Sequence, residues 1–204
     1  GLNLSLLENC GHIIRGVDRS KLTGTPFELI RADLLSPGSI EHVINTSRPD
    51  AIIHTAANAN VDACEADPQG AQRMNAAIPG ELAEICAKHA IQLVHISTDA
   101  VFDGQADRFY EETDQPNPLG IYAQTKLAGE NNVLNAYPQA IIARVNFFGW
   151  SLSGTRSLPE FFFNRLSAGE QCNGFKDVYF CPLFVGDLAS LLCRMLEKQL
   201  DGIY

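Results

Sequence analysis

Residues 91–99 read IQLVHISTD, an apolar run of strand length that stops on two hydroxyls and a carboxylate. Such a run fits a strand buried on both faces of a parallel sheet. Upstream, AIIHT at 51–55 is a second run of this kind and leads into Ala56-Ala57-Asn58. Between the two, 69–90 is mostly helical in composition, with Leu82, Ile85 and Cys86 on one face and a kink or restart expected at Pro79. Downstream come a loop rich in Gly, Pro, Asp and Asn at 103–118, a helix over 119–136 and a strand over 140–145. Strands are also expected at 12–18 and 27–31. Ser36-Pro37 then reads as a helix cap followed by proline at the first helical position, with Ile40, Val43 and Ile44 as the buried stripe. Leu2, Leu4, Leu6 and Leu7 suit a short helix stopped at Gly11, and further helices are expected near 158–168 and 186–199. Short buried strands alternating with helices form βαβ units, hence an α/β fold with a doubly wound, mostly parallel sheet.

In such a sheet, ligands bind outside the carboxyl ends of the strands. The residues expected there are Asp18, Asp33, Ala56-Ala57-Asn58, Ser97-Thr98-Asp99 and Asn146.

The composition narrows the class. The 204 residues carry 15 Lys+Arg against 24 Asp+Glu, a net charge of −9 without a run of like charge. That balance argues against non-specific binding to nucleic acid or anionic membranes. Apolar stretches such as 140–145 are far below the ~18 residues of a membrane span. The first residues, GLNLS, show no basic region and no cleavage signal, so a cytoplasmic location is the expectation. Six scattered cysteines form no C-x-x-C pair and read as reduced thiols; five dispersed histidines suggest no metal site.

Chemistry concentrates at Tyr122-Ala123-Gln124-Thr125-Lys126. On a helix, positions i and i+4 share a face, so the phenol and the ammonium project together. A neighbouring cation favours the phenolate and draws a tyrosine pKa down from ~10. Twenty-four residues earlier, Thr98 stands just past a buried strand, where its hydroxyl can hold a substrate oxygen.

These residues resemble the extended short-chain dehydrogenase/reductases that act on nucleotide sugars, and among them the dTDP-4-dehydrorhamnose reductase group. The resemblance rests on NANVDACEADP (58–68), RMNA (73–76), STDAVFDG (97–104) and YAQTKLAGE (122–130). It extends to CPLFVGDLA (181–189), similar to that group's entry into the substrate lobe. The implied fold is a Rossmann-type sheet over 1–145, with the start of a small substrate lobe over 146–204. The implied activity is NAD- or NADP-dependent reduction of a 4-keto sugar on a nucleotide carrier, with a homodimer as a family expectation.

The resemblance also implies roles. Tyr122 would protonate the keto oxygen, Thr98 would hold that oxygen, and Lys126 would bond the nicotinamide ribose and depress the tyrosine pKa. Asp18 would bind the adenosine ribose hydroxyls, whereas Arg19 and Ser20 could instead receive a 2′-phosphate. Asp33 and Leu34 match the adenine-side pair, and Ala56 and Ala57 the small residues that admit the cofactor. Asn75 matches an asparagine supporting the active-site helix or a bound water. Asn58 and Asn146 match positions at the substrate.

Two positions depart from the group's pattern. Gly1 stands near the last glycine of the expected pyrophosphate loop, whose preceding strand and glycines are missing from the sequence. A longer natural polypeptide is the resulting expectation. Ala100 stands where the reductases usually carry tyrosine; it also lacks the glutamate that the related 4,6-dehydratases use. Asp99 then reads as a loop-stabilising carboxylate. His54 and His95 read as satisfied core histidines, and Glu111, Glu112 and Asp114 as a solvated loop. Phe161-Phe162-Phe163, with Trp150 and Phe147, could be a nucleobase-stacking wall, core packing or a dimer surface. C4 epimerisation, or a non-catalytic role like that of the methionine adenosyltransferase beta subunit, are the alternatives to reduction.

Overall fold

A computed structural model describes residues 11–22, 24–151, 154–155, 157–174, 176–179 and 181–204. The expected helix over the leading leucines and the expected pyrophosphate glycine, Gly1, lie outside the described residues.

The chain runs through β1 (Arg15–Asp18), β2 (Glu28–Arg31), α1 (Ser39–Ser47), β3 (Ala51–His54), α2 (Val61–Ala66) and α3 (Pro68–Gln72). A π-helical turn (Arg73–Ala77) then joins α3 to α4 (Ile78–His89). β4 (Gln92–Ser97), α5 (Ile121–Ala136), β5 (Ile141–Arg144) and β6 (Asn146–Phe148) follow. The last elements are α6 (Leu158–Ser167), β7 (Pro182–Phe184), α7 (Val185–Glu197) and β8 (Gly202–Ile203). All pairings are parallel: β3-β4-β5-β8 form the main sheet, while β1-β2 and β6-β7 are two-stranded. The alternation read from the sequence is therefore the fold.

Two cores sandwich the main sheet. On one face Ile40 and Ile44 of α1, Ile78, Leu82 and Cys86 of α4 and Val133 of α5 pack on Leu93 and Ile142. On the other, Leu188, Leu192 and Met195 of α7 cover Val94, Ile141 and Ala143. Alternate residues of β4 thus serve opposite cores, as the period of a strand requires. The chain after Asn146 does not all leave the sheet, because α7 covers it and β8 pairs with β5.

Three local expectations are corrected. Ser36 does not cap α1: Ser39 N donates to the Ser36 carbonyl in a turn, and the cap is Gly38 at φ 72°, a conformation glycine adopts without cost. The helical stretch before β4 begins earlier, at Val61, with Asn60 and then Asp67 accepting from the first-turn N–H groups of α2 and α3. Of the kink or restart expected at Pro79, the structure has the restart and not the kink: a π turn closes where Ile78 N donates to the Arg73 carbonyl, and α4 begins at Ile78 with the proline in its first turn. Proline has no N–H, so the following turn could not be closed through residue 79 in any case.

Candidate active site

The β4 strand ends at Ser97, and Thr98 caps the short turn beyond it by accepting from Ala100 N at 3.2 Å. The Tyr122 side chain comes to this point from the first turn of α5, where the Thr98 hydroxyl acts on its phenol. No side chain of α5 caps its own N-terminus; Glu65 Oε1 of α2 accepts from Ile121 N at 2.8 Å instead. A carboxylate at a helix N-terminus is favoured by the helix dipole. Glu65 therefore fixes the turn that carries the tyrosine.

Asn75, fully buried in the π turn, holds the opposite side. Its Oδ1 accepts from Asn58 N at 2.8 Å, and its Nδ2 donates to the Asn58 carbonyl at 3.0 Å and to Thr125 Oγ1 at 3.1 Å. One amide thus ties the loop after β3 to α5. The helix comes so close that a Cβ on Gly129 would meet the Asn75 carbonyl oxygen at 2.2 Å, which only glycine avoids.

The ionisations differ from the expectation at Tyr122. Burial pushes its phenol up, the Thr98 hydrogen bond opposes this, and the Asp99 and Cys64 charges push up again. The expected depression by Lys126 is overturned, because the ammonium is turned toward the sheet. Lys126 Nζ donates to the Ile96 carbonyl at 2.6 Å and lies 3.4 Å from His95 Nε2. Burial brings Lys126 down to about 8, against the opposing Glu130 carboxylate. His54 and His95 are not simply satisfied core histidines. Their Nδ1 atoms are 3.0 Å apart, and His54 Nε2 is buried without a hydrogen-bond partner among the described residues.

The other expected site residues lie along the carboxyl edge. Asp18, at the end of β1, accepts from Ser20 N at 2.7 Å, and the neighbouring Arg19 carbonyl accepts from Arg31 Nε. Asp33 accepts from Leu35 N at 3.0 Å, while Leu34 leans on the core. Asn58 Oδ1 accepts from Asn60 N at 3.3 Å. Asn146 Nδ2 donates to Asp99 Oδ2 at 3.4 Å, and Asp99 Oδ1 accepts from Thr98, so Asp99 links the chain just past β4 to the start of β6. A cleft runs past Asp18, Leu34, Ala56, Asp99, Ala100 and Asn146. Thr98, Tyr122, Asp99 and Asn146 thus form one group, and Asp18 and Asp33 stand apart on their own turns.

Of the aromatic segment, core packing is excluded. Phe147, Trp150, Phe161 and Phe163 are all roughly half exposed, and Trp150 meets Phe163 edge-on at 5.3 Å.

The loop over 103–118 is more than a solvated stretch. Asp103 accepts from Tyr110 at 2.6 Å, from Asn117 at 2.8 Å and from Gln105 N at 3.0 Å. Tyr110 stacks on Phe102 at 4.4 Å, and Asp114 takes a bidentate hold on Arg108. The hydrogen bonds from Tyr110, Asn117 and Gln105 bring the Asp103 carboxyl down to about 2. A carboxyl depressed on folding contributes stability above its unfolded pKa of ~3.9, and that contribution is lost as pH falls through the folded value. The tyrosine-110 fluorescence and the proteolytic resistance of this loop should therefore persist at pH 5 and decline between about pH 4 and 2. In Asp103→Asn the loop should already be loose at pH 7. An acid profile identical in wild type and Asp103→Asn would contradict this.

The cleft can be tested for a dinucleotide. The small side chain of Ala56 leaves the chain just past β3 open beside it, and Asp18 offers a carboxylate at the end of β1. The described residues fit such a group. Among them no cluster suited to a metal ion occurs, and no helix is long and apolar enough to cross a membrane.

A parallel, doubly wound sheet with Thr98 after one strand and Tyr122-x-x-x-Lys126 on the next helix defines the extended short-chain dehydrogenase/reductase class. Within that class the chain belongs to the RmlD substrate binding domain family, which matches residues 10–204. It is similar to the Probable low-salt glycan biosynthesis reductase Agl14 of Haloferax volcanii, at 32% identity over 97% of this chain and 67% of the relative. It is also similar to the dTDP-4-dehydrorhamnose reductase of Mycobacterium tuberculosis, at 36% identity over 83% of this chain and 56% of the relative. Among solved structures, a hypothetical dTDP-4-dehydrorhamnose reductase from Sulfolobus tokodaii superposes with a TM-score of 0.86 at 32% identity, covering 100% of this chain and 70% of that one. The Bacillus anthracis dTDP-4-dehydrorhamnose reductase in complex with NADP gives 0.79 at 25% identity, covering 90% and 66%. The chain therefore spans between 56% and 67% of the length of these curated relatives.

Proposed function

We propose that the protein is an NAD(P)-dependent oxidoreductase that reduces the C4 keto group of a 4-keto-6-deoxy sugar on a nucleoside diphosphate, as a dTDP-4-dehydrorhamnose reductase does. The observation that carries this reading is the Thr98–Tyr122 hydroxyl pair at the carboxyl edge, with Lys126 one helical turn behind it. Asp18, Arg19, Asp33, Leu34, Ala56, Ala57 and Lys126 are the described residues that would hold the dinucleotide. When bound, it supplies the hydride. Thr98 holds the keto oxygen by its hydroxyl, and a donor so placed stabilises the developing charge by about 2–4 kcal/mol. Tyr122 gives its phenolic proton to that oxygen. A phenol raised by burial is fully protonated at neutral pH, the state a general acid needs. Asn58 and Asn146, with the aromatic residues after Asn146, face the sugar nucleotide in this reading, and residues 1–145 carry the cofactor.

The test incubates the protein, expressed from its natural gene, with NADPH or NADH and a dTDP-4-keto-6-deoxy sugar. Consumption of reduced cofactor in step with sugar is expected. Conversion of the sugar without net consumption of cofactor would assign C4 epimerisation instead. No turnover, with stable co-purification of a synthetase, would assign a non-catalytic subunit.

A further inference from the structure

The buried face of α5 carries Lys126 where an apolar side chain would be expected, and the residue that meets it, His95, is itself backed by His54. The parallel register places His54 directly beside His95, with rings stacked at 5.2 Å. Lys126 is 3% exposed, His95 0% and His54 5%. The row is shut off from bulk water except at His54, whose ring lines the cleft, so Lys126 and His95 satisfy their hydrogen bonds internally.

The chemistry of the donors then fixes the protons. An ammonium only donates, so His95 Nε2 accepts from Lys126 and the His95 proton sits on Nδ1. That Nδ1–H donates to His54 Nδ1, which places the His54 proton on Nε2, the atom without a partner among the described residues. If Lys126 loses its charge, the row can reverse. His95 Nε2–H then donates to the amine, His54 Nδ1–H donates to His95 Nδ1, and His54 Nε2 is left bare. The balance of that change is one proton released from His54 Nε2, and the row passes from a single positive charge to neutrality.

We propose that His95 and His54 are positioning residues for Lys126: a neutral imidazole pair with linked tautomers that orients the ammonium and leaves it one N–H for the site. The proposal rests on the reading of Lys126 as a site residue. Two of the three ammonium protons are taken, by the Ile96 carbonyl and by His95 Nε2. No partner for the third occurs among the described residues.

The surroundings support a neutral pair. Burial first, and the Lys126 charge second, bring His54 down to about 3, and the same causes with His54 itself hold His95 well below the usual imidazole range. The charged and titratable groups around the row are Glu130 and Tyr122 on α5 and His95 and His54 on β4 and β3. Arg144 on β5 pairs with Glu130, and Asp99 and Cys64 face Tyr122.

The test needs neither substrate nor turnover. In the ¹⁵N-labelled protein expressed from its natural gene, long-range ¹H–¹⁵N spectra at pH 6.5 should show His95 protonated at Nδ1 and His54 at Nε2. Both tautomers should change together as pH rises through the Lys126 titration, near 8. In His95→Phe the Lys126 Nζ titration should fall by about one pH unit, since a hydrogen bond to the charged form is lost. In His95→Gln, whose amide oxygen can accept in place of Nε2, the titration should return toward the wild-type value. His95 protonated at Nε2 at pH 6.5, or an unmoved Lys126 titration in folded His95→Phe, would overturn the proposal. If His95→Phe does not fold, the wild-type tautomers decide alone. The expected spectra together with an inactive reductase assay would uphold the pair and remove the reductase reading, so the two fail separately.

Discussion

Tyr122→Phe should lower kcat/KM for the keto sugar by about 10²–10⁴-fold, the usual worth of a positioned general acid. Cofactor affinity should be nearly unchanged. The substitution removes only the hydroxyl. The ring stays half buried in the first turn of α5, and that turn is held from outside by Glu65, not by the tyrosine. Thr98 still accepts from Ala100 N and donates to Asp99. The local fold therefore has no reason to move, and what disappears is the proton that must reach the keto oxygen. Steady-state reduction with a parallel fluorescence titration of the reduced cofactor separates the two effects. Turnover within a few-fold of wild type would remove Tyr122 from the mechanism.

The largest effect on stability should come from Arg144→Leu. Glu130 is 1% exposed, and its carboxylate receives Arg144 Nε at 3.1 Å on each oxygen and Nη2 at 2.7 Å. The Ser97 hydroxyl also donates to it, and the Arg144 guanidinium lies over the Phe102 ring at 5.2 Å. Removing the arginine leaves a carboxylate inside the protein with a single hydroxyl donor. Breaking a buried pair in this way costs about 3–5 kcal/mol, well above an exposed ion pair. Urea unfolding monitored by circular dichroism should show the loss as a lower midpoint at constant slope. The double variant Arg144→Leu, Glu130→Leu should recover most of it, because the buried carboxylate is removed together with its guanidinium partner. A loss below about 1 kcal/mol in the single variant would mean that water reaches Glu130.

How much of this was legible in the sequence depends on what each residue answers to. The strands at 51–55, 91–96 and 140–145 were plain because they are buried on both faces and read as unbroken apolar runs. Thr98, Asp99 and Asn146 were placed at one edge by architecture, and the structure gathers them there. α5 was harder. Its buried face carries Thr125, Lys126 and Glu130 beside Ala123, Gly129 and Val133, so hydrophobic periodicity cannot find the face that packs. The short β6 and β7 were missed because their residues are largely exposed and follow no alternation. The turn of Lys126 toward His95 was hidden for another reason. It depends on two strands, distant in sequence, aligning their histidines in register. The available signal was the pair of histidines at the same depth in adjacent apolar runs, His54 and His95, which pairing of those strands would bring side by side.

The covering of the sheet by α7 also bears on how the chain is made. Val94, Ile141 and Ala143 lie in the middle of the sequence, whereas Leu188, Leu192 and Met195, which cover them, are translated 45 or more residues after Ala143. At ribosomal rates of about 5–20 residues per second, that face of the sheet waits roughly 2–10 s for its helix. During this interval the nascent chain offers an apolar surface that a holdase can grip. On the opposite face the covering helices α1, α4 and α5 all precede Ile142 in the chain, so the helices that close it are already made when that strand emerges, and only Ile203 of β8 joins later.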